Sequence, residues 1–126
     1  ALVAGDLNGD GNLDLVTANS TGDSLGVLLG LGTGSFSPVV FYAAPGEPTN
    51  LFAADLDDDG KTDLLAPIRG SGVAIFSGSG TGTLLTPTGW YLDAHAYTLA
   101  DFDRDGRTDL AFANLDANST GVCIGR

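Results

Sequence analysis

At 126 residues with 43% hydrophobic content, the chain is long enough for one modest domain, and no stretch reaches the roughly 18 apolar residues of a membrane-spanning helix. A formal charge of −11 with only five Lys and Arg, none clustered, excludes nucleic acid as a partner, because that binding rests on cations neutralising phosphates. Nineteen glycines predict short strands and tight turns instead of long helices, and 12 of the 16 acids fall inside three windows, residues 6–14, 55–63 and 101–109.

Ala1 opens the chain without a methionine or a signal-peptide pattern, as expected of a processed or excised segment. The first unit, residues 1–48, begins with the apolar run "LVAG", then the acidic window "DLNGDGNLD". "LDLVTAN", "SLGVLLG" and "GTGSFSPVVFY" follow, each reading as a strand set off by polar or glycine-rich turns. The second unit, 49–94, repeats the order with "LFAA", "DLDDDGKTD", "DLLAPI", "GVAIFSG" and "GTGTLLTPTGWYL". The third, 95–126, supplies "YTLA", "DFDRDGRTD", "DLAFAN" and "TGVCIG", and lacks an outer strand.

The windows start at Asp6, Asp55 and Asp101, so the repeat is in the high forties, the length of a four-stranded unit. Such sheets bury their faces against one another, and radial stacking gives a β-propeller. The expected fold is therefore all-β. It is a single repeat domain of about three propeller blades in a partial ring, each blade of four antiparallel strands with the acidic loop between its first two. Apolar faces at the two ends call for further blades from a longer parent chain or for self-association.

Within each nine-residue window, positions one, three, five and nine carry side-chain oxygen. These are Asp6, Asn8, Asp10 and Asp14, then Asp55, Asp57, Asp59 and Asp63, then Asp101, Asp103, Asp105 and Asp109. An oxygen-only set suits a hard cation and argues against zinc. Position six is always glycine (Gly11, Gly60, Gly106), where a tight ligand loop needs a positive φ. Position seven is Asn12, Lys61 and Arg107. A cation at that position is consistent with metal binding only through its backbone carbonyl, the side chain pointing to solvent. Position four (Gly9, Asp58, Arg104) reads as unconstrained, with Asp58 outside the ligand set. Apolar residues at positions two (Leu7, Leu56, Phe102) and ten (Leu15, Leu64, Leu110) should anchor each loop to its sheet.

The helix–loop–helix calcium motif is ruled out, since its glutamate position holds Thr17, Ala66 and Phe112. Six or more oxygens in flexible geometry favour calcium over magnesium. About three Ca²⁺ ions are expected, the first loop binding most weakly because Asn8 replaces an acid.

The stretch "DLNGDGNLDLVTAN…VLLGLGTGSFSPVV", with echoes in units two and three, resembles the FG-GAP or VCBS-type repeats of integrin-α-like β-propellers. That resemblance implies blades of four antiparallel strands, calcium held between the first two strands, and an extracellular or cell-envelope setting. It also implies a role in adhesion or glycan recognition. Rings of the family usually have six or seven repeats, where about three are present here.

Other reactive residues are few. Cys123 is alone and reads as a small packing residue. His95 is the single histidine, two residues from Asp93, without a nucleophile readable beside it. Trp90 and Tyr91 are assigned to packing between units, with sugar stacking or partner anchoring as the alternative. The expected function is non-enzymatic: a calcium-stabilised module for extracellular protein recognition or adhesion. A carbohydrate-binding, lectin-like module is the alternative, and the scaffold of an extracellular enzyme comes third.

Overall fold

The computed structural model describes residues 1–90, 94–114 and 117–123, with the side chain of Trp90 left out. Tyr91 and Asp93 lie outside the described residues, as do Ile124 and Gly125 of the expected last strand. Among the described residues, the regular structure is all β apart from a 3-10 turn at Ser20–Gly22.

Three antiparallel sheets follow one another along the chain. The first runs β1 (Leu2–Gly5), β2 (Asp14–Asn19), β3 (Ser24–Leu28) and β4 (Val40–Ala43). The second runs β5 (Phe52–Ala54), β6 (Asp63–Ile68), β7 (Gly72–Phe76) and β8 (Thr88–Trp90). The third comprises β9 (Ala96–Ala100), β10 (Asp109–Asn114) and β11 (Ser119–Cys123). Each strand pairs with its chain neighbour, so every sheet is a simple meander, and each acidic window joins the first two strands of its sheet.

The outer strands are shorter than the sequence suggests. The run expected to form a strand from Gly32 is paired in β4 only from Val40. Gly32 and Gly34 take φ of +72° and +81°, a lone bridge joins Gly30 to Phe36, and Pro38 has no N–H to give a ladder. Gly80 and Gly82, at φ of +77° and +81°, turn the second unit in the same way ahead of β8.

Side chains alternate across each strand, and the middle sheet is covered on both sides. Leu64, Ala66 and Phe76 pack against Val16, Leu25 and Val27 of the first sheet. Leu65 and Val73, on the opposite face, pack against Leu110, with Leu99 and Tyr97 alongside. All of β6 is consequently buried, whereas β2 and β10 are only partly so. That explains the unbroken apolar run "LLAPI" after Asp63: a strand covered on both faces has no polar side to alternate with. Each fully buried Leu or Val contributes about 1.5–3 kcal/mol.

The expected loop anchors behave unequally. Leu7, Leu64 and Leu110 are buried, and Leu56 packs between the second and third sheets. Phe102 and Leu15 do not follow: Phe102 is 48% exposed and Leu15 only half-buried. The reason is position in the stack. Leu7 and Leu56 are covered by the following unit, and among the described residues none follows Phe102. Leu15 lies on the face of the first sheet turned away from the second.

Candidate metal centres

The backbone of each loop is shaped by its own carboxylates. The position-one aspartate accepts two or more N–H groups from across the turn. Asp6 Oδ1 takes Gly9 N–H at 2.7 Å and Oδ2 takes Gly11 N–H at 2.9 Å. Asp55 Oδ2 takes Gly60 N–H at 2.8 Å, and Asp101 Oδ2 takes Gly106 N–H at 3.0 Å. Position three caps position five: Asn8 accepts Asp10 N–H, Asp57 accepts Asp59 N–H and Asp103 accepts Asp105 N–H, at 3.1–3.2 Å. Position five caps position seven, with Asp10, Asp59 and Asp105 accepting from Asn12, Lys61 and Arg107 at 2.8–3.0 Å. These are local Asx turns, which aspartate and asparagine form readily.

Gly11, Gly60 and Gly106 adopt φ of +82°, +79° and +91°, the conformation that excludes larger residues at position six. Position four is more constrained than the sequence suggests. Gly9, Asp58 and Arg104 are all left-handed, at φ of +74°, +64° and +65°. The side-chain type there varies, but the backbone must turn to aim an N–H at position one, as Gly9 and Arg104 do.

The position-nine aspartates are the buried members, Asp14, Asp63 and Asp109 being at most 1% exposed. Asp14 accepts Leu7 N–H and Gly30 N–H, both at 2.8 Å. Asp63 accepts Leu56 N–H at 3.0 Å and Gly78 N–H at 2.8 Å. Asp109 accepts Phe102 N–H at 2.8 Å. This carboxylate ties the start of the loop to the second strand and, in the first two units, to the end of the third. Gly30 and Gly78 were not singled out by the sequence. The signal was there, since both "SLGVLLG" and "GVAIFSG" end in glycine at this register.

In the second loop one oxygen each from Asp55, Asp57 and Asp63 lies within 4.8 Å of the others, and in the third Asp101, Asp103 and Asp109 do the same. Positions one, three and nine therefore converge. Position five, Asp59 and Asp105, is not part of those trios. In the first loop Asn8 takes the place of the middle acid, with Asp6 and Asp14 on either side.

The electrostatics follow from this crowding. Desolvation, then the carboxylates of Asp63, Asp59 and Asp55, raise Asp57 above the ordinary 3.8. Asp10 is held below it, chiefly by the Asn12 N–H and the Asn8 amide. Asp59 is lowered mainly by its hydrogen bond to Lys61, whose own pKa is raised by the same contact.

Lys61 is partly solvent-exposed, as the sequence suggests, but it does not extend freely into water. Its ammonium turns back onto Asp59 Oδ2, drawn by the acids around it, and its methylenes lie against Gly80, where a Cβ would stand 2.9 Å from Lys61 Cδ. Arg107 reaches across to the second loop, 3.6 Å from Asp58. Both pairs are partly exposed, so each contributes little to stability.

The loops are also held from the neighbouring unit. Thr62 Oγ1 donates to the Asp6 carbonyl at 2.8 Å, and Gly82 N–H donates to the Leu7 carbonyl at 3.2 Å. Thr62 was missed because position eight varies between Leu13, Thr62 and Thr108. Thr62→Val should cost about 1 kcal/mol in urea unfolding and weaken cation binding at the first loop, not the second. First-loop affinity unchanged from the parent chain, or an equal loss at both loops, would refute that coupling.

The other residues noted in the sequence lie apart from the loops. His95 sits at the end of the second and third sheets opposite the second loop, lining an open cleft with Asn50, Arg69 and Tyr97. Its backbone N–H donates to the Ala113 carbonyl at 2.8 Å. Arg69 pairs with Glu47 at 2.6 Å. Cys123 is half-buried beside Leu110 and Leu99, in a packing role.

A family model described as an FG-GAP-like repeat matches residues 6–66, spanning the first two acidic loops and most of β6. No curated protein matches the chain.

Proposed function

The chain carries FG-GAP-like repeats, and from that premise we propose that it is a calcium-binding β-propeller segment that presents a recognition or adhesion surface outside the cell or in the cell envelope. Each sheet is then one blade, with boundaries at 48/49 and 94/95, and the role is binding without catalysis. One observation carries this proposal: the same three register positions bring carboxylate oxygens within 4.8 Å in two successive units.

Oxygen donors in a loop with this flexibility suit Ca²⁺ better than Mg²⁺, which demands a stricter octahedron. Positions one, three, five and nine would hold the ion by side chain, and position seven by its carbonyl. The ion supplies the charge that offsets carboxylate repulsion. Three of them would bring the formal −11 to about −5. The chain's own residues orient the ligands beforehand, through the N–H groups donated to positions one and nine.

Calcium binding to the folded state raises stability by mass action, about 2.7 kcal/mol per site at a hundredfold excess over Kd. Rigorous chelation should therefore lower the melting temperature, and calorimetric titration should restore it with about three ions. A melt unchanged by metal removal would sink the proposal.

Asp57→Asn separates the charge effect from general damage. The Asp57 pKa is raised in the fold, so its contribution favours the folded state at low pH and is lost as pH rises through that raised value. At neutral pH the ionised group opposes folding until a cation neutralises it. The variant should thus melt higher than the parent without calcium, and bind calcium more weakly. For the same reason, calcium affinity of the second loop should fall, as pH drops, before an ordinary aspartate would protonate. Parallel losses in both measurements would contradict this account.

A further inference from the structure

Positions five and seven are linked in every loop, and the three copies resolve that link differently. One oxygen of position five is committed to the turn: Asp10, Asp59 and Asp105 accept the position-seven N–H through Oδ1, at 2.8, 3.0 and 2.9 Å. Oδ2 is the oxygen left to meet an ion. In the first loop it accepts the neutral Asn8 amide at 3.0 Å. In the second it is taken by the Lys61 ammonium. In the third, among the described residues, no ion pair joins Asp105 to the Arg107 guanidinium, which lies 3.6 Å from Asp58 of the preceding loop instead.

The preceding loop explains why the two cations part ways. Asp58 and Arg107 line one hollow between the second and third loops. One repeat earlier, Gly9 and Lys61 line the corresponding hollow between the first and second. Gly9 has no carboxylate to offer, so Lys61 folds back onto its own loop, its stem against Gly80. Position four of one loop thereby decides where the cation of the next loop goes. A dication entering the second loop must displace the ammonium from Asp59 Oδ2 and then stand near a like charge. Calcium affinity in oxygen-donor loops follows ligand charge, and an ion pair this exposed changes it severalfold, not by orders of magnitude.

We propose that Lys61 is a built-in competitor for the cation of the second loop, and that Asp58 relieves the third loop of the same competition by holding Arg107 away. This rests on the calcium reading above and adds to it the residues that set affinity from outside the ligand set.

Calcium titration followed by NMR tests the proposal, the Gly60 and Gly106 amide signals reporting the second and third loops separately. Lys61→Met keeps an apolar stem beside Gly80 and removes the charge. It should tighten calcium at the second loop about threefold and leave the third unchanged. Gly9→Asp should be tolerated, because nothing lies within 4 Å of a Cβ there and Asp58 holds a similar left-handed φ. It should draw Lys61 off Asp59 and tighten the second loop, an effect mostly lost when Lys61→Met is also present. Asp58→Asn should release Arg107 and weaken the third loop, again mostly lost in an Arg107→Met background. Equal effects in both backgrounds would mark a plain field of the altered carboxylate and overturn the proposal. In the metal-free chain the Asp59 carboxyl carbon signal should move in Lys61→Met and in Gly9→Asp, and a signal that stays put overturns it too. Calcium bound at none of the loops would overturn the calcium reading and this proposal together. Calcium bound with affinities that these variants do not move overturns this proposal alone.

Discussion

Asp63→Ala should lower the unfolding free energy by about 3–5 kcal/mol even without calcium. Asp63 is 1% exposed and its two oxygens each accept a backbone N–H, from Leu56 and from Gly78. Truncation leaves the buried Gly78 N–H and the partly buried Leu56 N–H without their partner, an unsatisfied buried donor costing about 1–3 kcal/mol, more where the lost acceptor was charged. It also frees the start of the loop from β6 and the end of β7 from the same anchor. Asp63→Asn should lose less, because the amide oxygen keeps one acceptor while its NH₂ confronts the other donor. The control is Asp59→Ala at an exposed position, which should disturb cation binding far more than folding. Equal losses for Asp63→Ala and Asp59→Ala in urea unfolding would show that position nine is a ligand alone, without the anchoring role.

Gly78→Ala should be the second large effect, at about 2 kcal/mol or more. A Cβ at Gly78 would stand 2.2 Å from the Thr62 carbonyl oxygen. The obstacle is backbone, so no rotamer relieves it, and the turn must move off the strand that carries Asp63. Gly30→Ala meets the Leu13 carbonyl at the same 2.2 Å. Gly11→Ala is the useful contrast. Nothing lies within 4 Å there, so its cost is the conformational one of φ at +82°, about 1–2 kcal/mol. Because Gly78 N–H donates to Asp63, the double variant Asp63→Ala/Gly78→Ala should lose clearly less than the two single losses added. Strict additivity would separate the two residues into independent features.

Much of the candidate site was legible in the sequence. Alternate acids with a glycine at position six predict a loop that turns its oxygens inward, and the left-handed glycines and capped carboxylates are local consequences of that order. The left-handed position four was hidden, because Gly9, Asp58 and Arg104 share no side-chain property and only their backbone is alike. Lys61 was hidden for a related reason. Its backbone position follows from the loop, but its ammonium answers to a charged neighbour, Asp59, and to the surface of Gly80. Thr62 acts on a residue 56 positions away, a distance at which the repeat gives no local cue.

The sequence by itself determined the repeating unit: the order of short strands, the loop between the first two, and the chemistry of its oxygen donors. These depend on contacts within a few residues, or between strands joined by a turn, so the local pattern carries them. Only the tertiary structure decided which copies of an equivalent position are buried. Leu7 and Phe102 hold one place in the repeat, as do Leu84 and Phe36, yet in each pair one is covered and the other exposed. Burial is a relation between sheets, fixed by whether another unit lies against the face. Side-chain type cannot convey that, because apolar residues occupy the position whether the face is covered or exposed.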